Sequence, residues 1–109
     1  MKMRSIAILA AGLAAVPVLA HAADIKAGRA VAVAKCQTCH GLNGIATIAE
    51  APNLAGESEI YLQAQLQAFR SGKRQQEMMS IVAKDLTDEE IANLAAWYAA
   101  IRIEATMPE

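Results

Sequence analysis

The residues of this chain best suited to chemistry are the five in Cys36-Gln37-Thr38-Cys39-His40. Two cysteines three positions apart fall on one side of a single helical turn, and a histidine follows them directly. A disulfide between such thiols closes only a tiny loop and constrains the chain little, so the pair reads as a redox device or an attachment point. Reversible dithiol exchange in the thioredoxin manner calls for a strand and a βαβ frame, and no convincing strand can be read in the sequence. Structural zinc takes four ligands, more than the cysteines and a neighbouring histidine supply. The remaining chemistry is that of Cys-x-x-Cys-His in covalent c-type haem. Both thiols reach the vinyl groups of one porphyrin edge, and the histidine is presented to the iron.

The chain start supports an exported setting for these thiols. Met1, Lys2, Met3 and Arg4 precede an apolar run from Ile6 to Ala20, which ends in Ala20-His21-Ala22. A positive start, an apolar middle and small residues before the break are the layout of a secretory signal peptide, with cleavage expected after Ala22. The run is shorter than the roughly 20 residues needed to span a bilayer. Gly12 and Pro17 also interrupt it, which argues against stable membrane insertion. The expected mature chain is one domain, residues 23–109, in an oxidising compartment, the periplasm. Loss of Lys2 and Arg4 leaves eight basic residues against eleven acidic ones, a formal charge of −3. That balance excludes a nucleic-acid binder on electrostatic grounds. His21 departs with the leader, so His40 is the only histidine left and bis-histidine ligation is excluded.

Three amphipathic helices are predicted around the motif. From Asp24, a plausible N-cap, Ala27, Ala30, Val31 and Ala34 recur at spacings of three and four up to about Cys36. A second helix starts near Ser58, carries Tyr61, Leu62, Leu66 and Phe69, and stops at Ser71-Gly72. The third opens on the capping box Thr87-Asp88-Glu89-Glu90 and turns Ile91, Leu94, Ala95, Tyr98 and Ile101 inward. Between them, Gly41 to Glu57 is a loop with specified turns, and Gly72 to Leu86 is irregular with a short helix from about Ser80 to Lys84. The domain is therefore expected to be all-α, with a core too small for its length. A haem burying on the order of 400 Å² of apolar surface would contribute about 10 kcal/mol as an upper bound, comparable to the whole stability of a domain. Without haem the chain is expected to be largely unfolded.

A sulfur ligand opposite the histidine would raise the reduction potential and favour the ferrous state, as in electron-carrying cytochromes. The mature methionines are Met78, Met79 and Met107. Met107 stands beside Pro108 in a C-terminal tail. Met78 and Met79 follow the basic stretch, and spacing alone leaves both open.

Together these residues resemble class I bacterial cytochromes c, in particular the short monohaem c-553 type and single halves of dihaem cytochrome c-four. The similarity runs from about Asp24 to Ile101. It is carried by Cys36 to Gly41, Pro52-Asn53-Leu54-Ala55-Gly56, Tyr61-Leu62 with Gln65-Leu66, Phe69-Arg70 with Gly72 and Arg74, Met78-Met79, Leu86-Thr87-Asp88 and Leu94-Ala95-Ala96-Trp97-Tyr98. The resemblance implies a small fold of three main helices plus a short one around one haem c. It selects Met79, seven residues before Leu86, as the second axial ligand, and makes the Pro52 carbonyl the partner of His40. It further implies that the first and last helices cross closely at Gly28, near Trp97 and Tyr98. Tyr61, Arg70 and Arg74 are candidate contacts of the haem propionates, with plain helix surface as the alternative, and Arg70 to Arg74 is an alternative docking patch. The function implied is a one-electron carrier between a redox donor and a redox acceptor, with no substrate transformed. Two alternatives are an electron-accepting subunit of a periplasmic dehydrogenase and a haem sensor or enzyme with an open distal site.

Overall fold

The computed structural model describes residues 1–3, 5–17 and 22–109. His21 and most of the Ala20-His21-Ala22 leader end lie outside the described residues. Among those described there are five helices and no strand: α1 (Ile25–Lys35), α2 (Gln37–His40), α3 (Glu59–Ser71), α4 (Glu77–Ala83) and α5 (Asp88–Ala99). No helix among them is long and apolar enough to cross a membrane.

Helix boundaries follow from local hydrogen-bonding chemistry. The Asp24 carboxylate accepts from the Ala27 N–H at 3.0 Å and starts α1. Ser58 does the same for the Tyr61 N–H at the start of α3, which ends at Gly72 in the left-handed region, φ 83°. Thr87 and Glu90 form the reciprocal capping box of α5. Each cap satisfies N–H groups that a helix start otherwise leaves without partners.

Close contact between α1 and α5 sets the frame. A Cβ added at Gly28 would lie 1.9 Å from the Asn93 carbonyl oxygen and 3.1 Å from Trp97 Cβ, so only glycine permits the crossing. Next to it, the buried Asn93 side chain accepts the Asp24 N–H at 2.8 Å and fixes the start of α1 on α5. The core joins Ala32 of α1, Leu62 and Phe69 of α3, Ala83 and Leu86 near α4, and Ile91, Leu94, Ala95 and Tyr98 of α5. Only Ile91 and Leu94 stand out as large side chains with essentially no exposure, in keeping with the thin core expected from the sequence.

Three boundaries differ from those expected. α1 stops at Lys35, because Cys36 leaves helical geometry (φ −123°, ψ −35°), and the motif continues as the separate turn α2. α4 begins at Glu77, three residues before the expected Ser80, which puts Met78 and Met79 in its first turn. Its cap is Gln76, whose Oε1 accepts the Met79 N–H at 2.7 Å while its own N–H donates to Ser80 Oγ at 3.1 Å. Glutamine is not one of the preferred N-cap residues, so nothing in the local sequence marks this start. α5 closes at Ala99, leaving Ile101 beyond the helix but still packed on the core.

Replacing Gly28 with alanine drives a methyl group into the Asn93 backbone, and the two helices must separate. Gly28→Ala is expected to cost about 3 kcal/mol in a guanidinium unfolding titration of the haem-loaded protein.

Candidate haem site

One helical turn presents the motif. The Cys36 carbonyl accepts from the N–H groups of Cys39 (3.3 Å) and His40 (3.0 Å), and the Gly41 N–H donates to the Gln37 carbonyl at 2.9 Å. At Gly41 the backbone turns through φ 72°, where a Cβ would sit 2.3 Å from the Ile45 carbonyl oxygen. Glycine after the motif is thus a steric requirement for the chain to fold back over it. Thr47 secures the return: its N–H donates to the Cys39 carbonyl at 2.9 Å and its hydroxyl to the Thr38 carbonyl.

A second layer of the loop then reaches the histidine. The Gly44 carbonyl accepts from Leu54 (2.8 Å) and Ala55 (3.1 Å), and Asn53 Oδ1 accepts from Ala46 at 2.8 Å. These bonds place the Pro52 carbonyl 2.8 Å from His40 Nδ1. A carbonyl only accepts, so Nδ1 carries the hydrogen, and in the neutral ring Nε2 keeps its lone pair. A buried histidine with a fixed tautomer and a free Nε2 lone pair, one turn from two free thiols, is a donor set that fits haem c. The electrostatics disfavour dithiol exchange. Burial pushes the Cys36 thiol up to about 11, against a smaller pull from Lys35. A redox-active cysteine needs the opposite shift.

α5 holds this loop from behind. The Tyr98 hydroxyl donates to the Gly41 carbonyl at 3.1 Å, and Trp97 Nε1–H donates to the Leu42 carbonyl at 3.1 Å. Burial raises the Tyr98 phenol above its ordinary range, which favours the protonated, donating form. Neither hydrogen bond is foreseeable from the sequence, where Tyr98 belongs simply to the inward stripe of a helix. The only signal is indirect: buried tyrosine and tryptophan polar groups need partners.

The methionines separate by burial. Met79 is half-buried and packs on the same core that Cys36 touches. Met78 is 56% exposed, and Met107 is 86% exposed in the tail.

The three candidate propionate contacts have other surroundings. Tyr61 is half exposed on α3. Arg70 donates to the Leu86 carbonyl at 2.9 Å and pairs with the Asp88 carboxylate. Arg74 donates to Gln65 Oε1 at 2.7 Å and lies 4.5 Å from the centre of the Phe69 ring. No hydrogen bond among the described residues brings any of the three to His40 or Met79.

Residues 23–97 match the family model described as cytochrome c oxidase, cbb3-type, subunit III. The chain belongs to this family of c-type cytochromes. It is 38% identical over 92 residues to cytochrome c4 of Pseudomonas aeruginosa, covering 84% of this chain and 45% of that protein. With cytochrome c-554(548) of Halomonas halodenitrificans it shares 37% identity over 70 residues, covering 62% of this chain and 84% of the relative. A solved structure of thiosulfate dehydrogenase from Marichromatium purpuratum superimposes with a TM-score of 0.65 at 34% identity, over 72% of this chain and 19% of that one. This cytochrome thus has the class I fold, spans about half of the cytochrome c4 it matches, and carries covalent haem c as its cofactor.

The hydrogen bond from Tyr98 supports the turn on which the cytochrome's histidine is mounted. Tyr98→Phe is expected to lower stability by about 1–2 kcal/mol, measured by thermal or guanidinium unfolding, while the haem stays attached.

Proposed function

We propose that this cytochrome is a periplasmic one-electron carrier between a redox donor and a redox acceptor, and that it transforms no substrate. When bound, the haem supplies a reversible ferric–ferrous couple. Every other part of the function falls to the chain. Cys36 and Cys39 hold the porphyrin through thioether bonds, so a small domain keeps its cofactor without a deep pocket. His40 offers Nε2 to the iron, with the ring orientation set by the Pro52 carbonyl. Met79 would supply a thioether as the second ligand from the chain, and a thioether favours the ferrous state.

The observation that carries the reading is the burial of Met79 against the same core as Cys36, with Met78 turned to solvent. With both His40 and Met79 as ligands, the chain would leave oxygen or peroxide no open position. Residues 1–22 act in this reading as an export signal cleaved after Ala22. Donor and acceptor are redox proteins. The similarity to a chain of thiosulfate dehydrogenase favours a second form of the same function, an electron-accepting partner of a periplasmic dehydrogenase. Co-purification with such an enzyme separates the two forms.

Visible spectra of the exported protein and of two variants test the ligand assignment. Met79→Ala is expected to lose the weak sulfur-to-iron band in the red and to bind carbon monoxide when reduced. Met78→Ala is expected to retain the band and exclude the gas. A wild-type protein that already lacks the band and binds carbon monoxide has an open iron, which would favour sensing or catalysis.

A further inference from the structure

We infer that Arg70 is a positioning residue for the bond between Met79 and the iron, an inference that rests on Met79 being the ligand. The segment that carries Met79 is a strap. It leaves α3 at Ser71, contains α4, and rejoins the body of the domain at the start of α5. Its first half has little to hold it in place. Residues 71–78 are all exposed, and a Cβ added at Gly72 meets nothing within 4 Å. Arg74 ties this part back to α3 through its N–H on the Ala68 carbonyl (3.0 Å) and its guanidinium on Gln65. Those contacts lie on the surface and stop short of α4. The bonds between Gln76, Met79 and Ser80 shape the first turn of α4 without attaching it to another element.

Beyond the packing of Met79 itself on the core, the firm attachment of the strap comes from the residues that follow it. Ala83 is fully buried and Leu86 is 3% exposed. Arg70 acts at this end: its Nη1 donates to the Leu86 carbonyl at 2.9 Å, reaching across the base of the strap from the last turn of α3. Its Nη2 pairs with Asp88, in the first turn of α5. One guanidinium thereby joins the end of α3, the end of the strap and the start of α5. Met79 lies seven residues before Leu86, one short helix away, so where the Leu86 backbone is held bears on the place of its sulfur, alongside the packing of Met79 on the core.

The two bonds are not equivalent. The Asp88 side chain is 85% exposed, and an ion pair in such a setting contributes little. The Leu86 bond is part-buried and charge-assisted, the stronger class of hydrogen bond. Positioning is therefore assigned to the Leu86 bond, and Asp88 serves as the internal control.

Imidazole competes with a methionine sulfur for ferric haem iron, so its affinity reads how firmly the sulfur is held. The haem-loaded wild type, Arg70→Met, Arg70→Lys, Asp88→Asn and Met79→Ala are titrated with imidazole, following loss of the red sulfur-to-iron band, with guanidinium unfolding run in parallel. Arg70→Met is expected to bind imidazole about tenfold more tightly than wild type, as loss of a charge-assisted bond implies. Arg70→Lys should bind it more tightly by a smaller factor, and Asp88→Asn should stay within about twofold of wild type. An Arg70→Met protein that unfolds more easily but titrates like wild type would make Arg70 merely structural and overturn the inference. If Arg70→Met does not accumulate with haem, Arg70→Lys decides: wild-type affinity overturns the inference and tighter binding supports it. A wild type without the band, binding imidazole as tightly as Met79→Ala, would overturn the Met79 reading and this inference with it. That outcome is distinct from one in which the band is present and the Arg70 variants leave it undisturbed.

Discussion

The bond between His40 Nδ1 and the Pro52 carbonyl is the constraint around which the site is arranged. An imidazole can present either nitrogen, and a free side chain would rotate between them. The carbonyl removes that freedom, because it has no hydrogen to give and so decides the tautomer. The surrounding loop exists to deliver this carbonyl. Gly41 reverses the chain, Thr47 fastens it to the motif turn, and Gly44 anchors Leu54 and Ala55 alongside. Each of these residues acts on the histidine without touching its ring.

α5 provides the rigid back wall. Its capping box fixes where it begins, the buried Asn93 and the close approach at Gly28 lock α1 to it, and Trp97 and Tyr98 hold the carbonyls of Leu42 and Gly41. α1 leads directly into Cys36, so the contact between α1 and α5 places the thiols while the two aromatic side chains place the turn after them. A domain whose core is largely alanine and leucine gains much of its order from such directional contacts. The proposed electron carrier would benefit, because little movement of its ligands between oxidation states would keep the reorganisation on electron transfer small.

Much of this was legible in the residues. Cys36, Cys39 and His40 identify the chemistry by spacing, and Asp24, Ser58, Gly72 and the Thr87–Glu90 box mark helix ends with side chains that have one obvious use there. The start of α4 was not legible, because its cap is Gln76, and glutamine is not among the preferred N-cap residues. Met78 and Met79 could not be told apart by sequence position, since the difference between them is burial, a property of the folded chain. Arg70 and Arg74 illustrate the opposite case. The sequence offers them as a basic run, and in the folded chain one bridges Leu86 to Asp88 while the other stacks on Phe69 and bonds Gln65. Long side chains of this kind find protein partners that no local pattern specifies.

Ligation by both His40 and Met79, as proposed, should produce one reversible couple with no change in coordination. A spectroelectrochemical titration of the purified haem protein, run in both directions, tests this most directly. The account predicts a single one-electron transition, superimposable on oxidation and reduction, with the same set of isosbestic points throughout. Hysteresis, or a second spectral species appearing on reduction, would mean that a ligand leaves the iron during the cycle and would contradict it.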